Sequence, residues 1–199
     1  MPDYFYETKA LNNGFKKICG VDEAGRGPLA GPVCAAAVIL PLGLEIQELD
    51  DSKKLTEKKR EMLFEIIKKK ALDYCVAFAS VEEIEKYNIL NATYLAMNRA
   101  ISGLKSLPDL ALIDGNREPK DCPVKCETVI KGDSKSYSVA AASVLAKVTR
   151  DRLMKKYDKK YPSYGFAAHK GYGTKAHYEA IKIHGICEIH RKSFLKNVL

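Results

Sequence analysis

No run in the chain reaches the roughly 20 apolar residues that crossing a bilayer requires. The opening MPDYFYETKALNNGFKK likewise holds no apolar stretch of signal-peptide length. A soluble, cytoplasmic protein that does not enter a membrane is therefore expected. Internal repeats and low-complexity tracts are also missing, which argues against a repeat architecture. Nor is there a disulfide framework: the six cysteines, at 19, 34, 75, 122, 126 and 187, are scattered, most of them in apolar runs where cysteine behaves as a small hydrophobe. Cys122 and Cys126 are spaced C-x3-C, and His184, Cys187 and His190 cluster near the tail. Neither spacing is that of a common structural zinc module, so a zinc site built from the two clusters is the weaker reading.

What is present is enough chain, 199 residues, for one well-cored domain, with 33 lysines and arginines against 25 acids and a formal charge of +8. That balance suits a polyanionic partner such as nucleic acid, although a soluble basic surface would account for it equally.

Residues 17–24 and 32–40 are apolar and partly β-branched, joined by AGRGPLAG, and read as an antiparallel strand pair. A helix is expected from Thr56 through TEKKREMLFEIIKKKA, with Leu63, Ile66, Ile67 and Ala71 on one face. DYCVAFAS reads as a strand, Ser80 and Glu83 as a capping box, and about 91–104 as a further helix. DLALIDGN is a short buried strand ending in Asp114, and VKCETVIKGD another ending in Asp133. A long small-residue helix, SYSVAAASVLAKVTRDRLMKKY, precedes short helical pieces. A hairpin followed by strands alternating with helices implies an α/β fold, a mixed sheet flanked by helices.

The acids are the informative part. Asp22 and Glu23 interrupt an apolar run, and Asp114 and Asp133 each close a strand. Singly, Asp114 and Asp133 read better as ordinary turn residues. If all four carboxylates converged without a cation, their repulsion would oppose folding, whereas hard divalent ions such as Mg2+ prefer oxygen ligands. In a basic protein such a cluster suggests phosphoryl transfer with two metals. The GRG turn lets the backbone approach a ligand, for which a nucleotide sugar is a candidate. Lys147 and Arg150, one helical turn apart, are placed either to bind phosphate or to stand as surface charge.

The stretches GVDEAGRGPLAGPV, DSKKLT, NATYLAMNRA, LIDGN, KGDSKS, AAASVLAKVTRD, HKGYGT and IHRKSF, in that order, resemble those of the ribonuclease HII family. The resemblance implies a single ribonuclease H-like domain over 1–199, with a catalytic core over about 17–157 and a C-terminal helical extension over about 158–199. It implies Mg2+ or Mn2+ as cofactor, held by Asp22, Glu23, Asp114 and Asp133. It further implies cleavage of RNA in RNA/DNA hybrids and on the 5′ side of single ribonucleotides in duplex DNA, leaving a 3′-hydroxyl and a 5′-phosphate.

By the same match, Gly25, Arg26 and Gly27 would contact the ribonucleotide, Lys53 would lie near the scissile phosphate, and Tyr172 would pack on the next sugar. His169 and His177 are not read as bases, because two-metal hydrolysis requires none. The chain begins about twenty residues before the DE pair, which favours this branch over the related ribonuclease HIII. SFLKNVL carries no glutamine-led, aromatic-ended sliding-clamp motif. A monomer is expected. The alternative is a basic nucleic-acid-binding protein without chemistry, disfavoured because acids weaken phosphate binding unless metal neutralises them.

Overall fold

The two apolar runs on either side of AGRGPLAG form the expected hairpin. In the computed structural model, which describes residues 1–196, they are β1 (Ile18–Ala24) and β2 (Val33–Ile39), antiparallel with Asp22 opposite Ala36. β2 is buried throughout, its alanines small enough to let helices lie close on both faces. β3 (Asp73–Ala79) adds antiparallel to β2, while β4 (Leu110–Asp114) and β5 (Lys125–Val129) run parallel to β1. The result is one mixed sheet of five strands in the order β3-β2-β1-β4-β5, the α/β architecture expected.

Helices cover both faces because every central strand is apolar on both. α3 (Val81–Ser102) closes one face over Cys19, Val21, Ala35 and Ile113. α2 (Glu57–Lys70) and α4 (Tyr137–Lys160) close the other over Ala36 and Val38. Thr56 caps α2 by accepting from the Lys59 amide, and Ser80 and Glu83 form the foreseen capping box on α3. α4 crosses β1 at Gly20, where a Cβ would fall 2.1 Å from the Ser138 carbonyl carbon. Only glycine permits that crossing.

Four details go beyond or differ from the sequence reading. First, α3 is two helices meeting at a kink, as the two separate stretches implied, and the second begins a little before 91: Asn88 is non-helical (φ 66°), and its side chain accepts from the Leu90 and Asn91 amides and caps that second helix. Second, Asp133 is not a strand end: β5 stops at Val129, Lys131 turns left-handed (φ 59°), and Asp133 lies in the 3-10 turn Gly132–Ser134. Third, α4 runs to Lys160, so the extension read from about 158 begins in its last turn.

Fourth, an unforeseen helix, α1 (Phe5–Asn12), packs Ala10 beside Ile18 and Leu110. Its buried Glu7 accepts from Ser136 Oγ (2.7 Å), Ser138 N (2.9 Å) and Ser138 Oγ (2.6 Å), fastening α1 to the start of α4. The polarity of the FYETKALN segment hid this helix, because the face it buries is small.

Beyond α4, α5 (Phe166–His169) and α6 (Lys175–His184) gather around Phe166, Met154 and Ile181 and enclose Leu29 and Ala30 from the β1–β2 connection. The helical extension is thus packed against the GRGPLAG loop. Within SFLKNVL, positions 197–199 lie outside the described residues, so the reading of that tail is not addressed by the structure. Among the described residues no helix is long and apolar enough to cross a membrane.

Candidate active site

Strand alternation splits the DE pair. Asp22 shares the α4 face of β1 with Gly20, whereas Glu23 shares the α3 face with Cys19 and Val21. β4 lies parallel to β1 with Val21 beside Ile113, so Asp114 comes up next to Asp22 at the carboxyl ends of the two strands. The turn before α4 brings in Asp133 from the same side. One carboxylate oxygen each from Asp22, Asp114 and Asp133 lie within 4.8 Å of one another. Glu23 stands apart from this trio and pairs with Arg26, Nη1 to Oε1 3.2 Å.

The electrostatics follow from the crowding. Burial, then repulsion from Glu23 and Asp114, pushes the Asp22 carboxyl well above the usual range, against one hydrogen bond from the Glu23 amide (2.7 Å). Burial also raises Glu23, with Arg26 opposing. Asp114 is raised by burial and by Asp133, and opposed by the Gly132 amide donating to its Oδ1 (2.7 Å). Lys53 Nζ sits 3.0 Å from Asp133 Oδ2, and although part burial pulls its pKa down, that contact and the surrounding acids hold it well above normal. The trio is an all-oxygen donor set, crowded and short of positive charge. It therefore fits a hard divalent cation such as Mg2+ or Mn2+.

The sequence-expected substrate residues line the cleft at the trio. A hollow of about 190 Å³ is bounded by Asp22, Glu23, Asp114 and Lys53 on one side and by Gly25, Arg26 and Gly27 on another; Lys147 and Tyr172 close it. Tyr172 is 44% exposed, its ring close to Gly27 and 5.9 Å from Lys147 Nζ. Lys147 also reaches Asp151, Nζ to Oδ1 2.8 Å. On the α3 side a second hollow, about 310 Å³, shares Glu23, Arg26 and Asp114 and adds Tyr94, Asn116 and Arg117.

Arg150 does not fit the phosphate role read for it. It is 1% exposed, and its guanidinium donates to the carbonyls of Pro32 (3.0 Å), Ala30 (3.0 Å) and Lys170 (2.9 Å). Sequence reasoning missed its companion, Arg191 in IHRKSF, which is fully buried and donates to the carbonyls of Gly31 (2.9 Å), Arg26 (2.9 Å) and Gly25 (2.6 Å). Two interior arginines therefore brace the loop from behind. Gly25 is left-handed (φ 98°), and a Cβ there would lie 2.0 Å from Arg150 Nε. Its peptide bonds are trans, so carbonyls turned onto Arg191 aim the Arg26 and Gly27 amides the other way.

A second missed group fixes Tyr172. His177 Nδ1 faces the Tyr172 carbonyl (2.9 Å) and must carry the proton there, so its Nε2 accepts from His190 Nε2 (3.1 Å). His190 Nδ1 in turn accepts from the Cys187 amide (2.9 Å) and approaches Cys187 Sγ (3.1 Å). Every ring is thereby held neutral. Burial, aided by the neighbouring His177, brings the His190 pKa down to about 4, and burial lowers His177 as well. Ser52 and Ser143, bonded at 2.6 Å beneath the cleft, were likewise not foreseen; the DSKKLT motif was the only signal for Ser52.

The zinc reading is not supported. Among the described residues the only three-ligand cluster is Asp22, Asp114 and Asp133, and Cys122 and Cys126 are joined by no further His, Cys, Asp or Glu.

A family model described as Ribonuclease HII matches residues 19–197. Ribonuclease HII of Clostridioides difficile (strain 630) is 55% identical over 194 residues, covering 98% of this chain and 76% of that protein. Among solved structures, the ribonuclease H2 from Pyrococcus horikoshii OT3 superposes with a TM-score of 0.76 at 28% identity, covering 92% of this chain and 97% of that one. Bst-RNase HIII in complex with Mn2+ shares the fold, with a TM-score of 0.64 at 17% identity over 93% of this chain and 66% of that one.

Proposed function

The chain belongs to the ribonuclease HII family, and from that premise we propose that its acid cleft cuts the RNA strand of RNA/DNA hybrids and cuts 5′ of single ribonucleotides in duplex DNA. Membership makes it a ribonuclease H, an endonuclease and a phosphodiester hydrolase. The observation that carries the finer reading is the convergence of Asp22, Asp114 and Asp133 beside the GRG loop and Tyr172.

Asp22, Glu23, Asp114 and Asp133 would hold a pair of Mg2+ or Mn2+ ions, which when bound supply charge neutralisation and water activation at the scissile phosphate. Lys53, tethered by Asp133 yet largely solvent-facing, stands where a phosphate oxygen enters. The Arg26 and Gly27 amides, aimed away from Arg191, offer fixed donors to a 2′-hydroxyl and its phosphate. That hydroxyl is the atom distinguishing a ribonucleotide from DNA. Tyr172, backed by His177, presents its ring to the following sugar. All of these groups come from one chain, so the site needs no second copy.

The test is cleavage of a labelled DNA duplex carrying one ribonucleotide, and of a long hybrid, with Mg2+, with Mn2+ and with chelator, beside an all-DNA control. Metal-dependent 5′ cutting with the control intact is expected. Asp22→Asn and Asp114→Asn should each lower cleavage at least about a hundredfold while substrate binding and the fold persist. Wild-type turnover in either variant would refute the acid assignment. Binding without cutting under either metal would favour the non-catalytic alternative.

A further inference from the structure

Cys122 and Cys126 belong to neither the cleft nor the apolar core proper. Cys122 lies in the connection that leaves Asp114, and Cys126 sits on β5, held in register beside Ala111. Both are partly exposed, and the Cys126 thiol donates to Cys122 with the sulfurs 2.7 Å apart. A disulfide needs about 2.05 Å, so closing the pair asks only about 0.65 Å of movement.

Movement falls to Cys122, because Cys126 is tied into the sheet. Of the other four cysteines, Cys19 lies near the pair but is buried, Cys34 is buried, Cys75 packs toward Gly103, and Cys187 faces His190.

We propose that Cys122 and Cys126 are a reversible thiol–disulfide site, oxidised by exchange with a low-molecular-weight disulfide, that staples the β4–β5 connection to β5. Their reactivities differ in the way exchange requires. The hydrogen bond from Cys126 outweighs part burial and the nearby Glu118 and brings the Cys122 thiol down to about 7, whereas the same contact and burial hold Cys126 far above the ordinary range. The proton between them is drawn toward Cys126, which leaves Cys122, at the mobile end of the pair, as the attacking sulfur.

Cys122 attacks one sulfur of the small disulfide, expelling a thiolate and forming a mixed disulfide. With its partner's charge gone, Cys126 loses its proton, attacks Cys122 Sγ and expels the second small thiolate. Two protein sulfurs are oxidised by two electrons, the small disulfide is reduced by the same two, and the released thiolates take up the Cys126 proton and the one that Cys122 gave to solvent on ionising. The staple closes on the segment that also carries Asn116 and Arg117 into the hollow beside Glu23.

Lys125 lies between the two cysteines, so trypsin places them in separate peptides, 121–125 and 126–131, that stay joined only through a disulfide. The experiment treats the native full-length protein with oxidised glutathione, denatures it in iodoacetamide, and maps the tryptic peptides with and without reductant. The expected result is a 121–125/126–131 conjugate split by reductant, with the other four cysteines alkylated. Cys126→Ser should trap glutathione on Cys122, and Cys122→Ser should leave Cys126 alkylated; melting curves check that both variants fold. Separate alkylation of both peptides in the wild type, a persistent glutathione adduct on Cys122 with Cys126 free, or no adduct in Cys126→Ser would each overturn the proposal.

Discussion

Among the described residues, Arg150 and Arg191 are buried with no carboxylate in salt-bridge contact, and each gives three hydrogen bonds to backbone carbonyls. The surroundings push back, since burial and the charge of Arg150 bring the Arg191 pKa down to about 9. Removing either guanidinium strands several buried carbonyls, so Arg191→Met should destabilise by about 2–4 kcal/mol in urea denaturation and depress hybrid cleavage further than stability explains. Gly25→Ala combines a left-handed φ with a collision against Arg150, and should destabilise by about 1–3 kcal/mol while raising KM for ribonucleotide-containing duplex. A wild-type KM would mean that the loop's backbone does not touch substrate. The sequence made the GRG turn legible because glycine announces itself. It did not reveal why Gly25 is required, because the obstructing side chain comes from 125 residues downstream (150 − 25) and reads there as a phosphate ligand or surface charge.

The α5–α6 segment behaves as a bracket for one side chain, with the chain of contacts from Cys187 through His190 and His177 ending on the Tyr172 carbonyl. His177→Asn keeps a donor at the Nδ1 position and should retain junction cleavage within about threefold, whereas His177→Ala should lose about tenfold or more, with long-hybrid cleavage less affected. Equal behaviour of the two variants would remove His177 from Tyr172 positioning. Acid should act on the same element. His190 titrates near 4 when folded and near 6.5 when unfolded, so the unfolded chain binds the proton first and stability falls as pH drops from about 6.5 towards 4. The loss is on the order of 2–3 kcal/mol, and His190→Gln should flatten that limb of a urea-midpoint series at pH 7, 6 and 5.

Sequence periodicity located β1, β2, α2 and α4 closely, because their apolar patterns are strong. It missed the turn that carries Asp133 and the kink at Asn88 from which the second helix of α3 starts. In both, one non-glycine residue in the left-handed region sets the path, and periodicity has no signal for that.

Over the whole molecule the charge of +8 sets a general attraction to polyanions, on which specific contacts are superposed. Lys147→Gln should reduce the salt slope of hybrid binding by about 1 if its ammonium meets a phosphate, measured by titration in chelator from low to moderate salt. An unchanged slope would assign it wholly to Asp151. Asp22 and Glu23 were readable because they break an apolar run, and Asp114 and Asp133 only as further acids closing apolar segments; the division of the four into a trio and an outlying Glu23 emerges only from strand register.

The extension and the loop it braces are bonded amide by amide: Leu29 N to Gly171 O, Gly31 N to Ile189 O and Arg191 N to Leu29 O, each at 2.8 Å. Neither side of that seam can come apart alone. In native-state hydrogen exchange these three amides should therefore share one opening free energy, a single cooperative unit, so that the GRGPLAG loop opens only when the C-terminal segment is released with it.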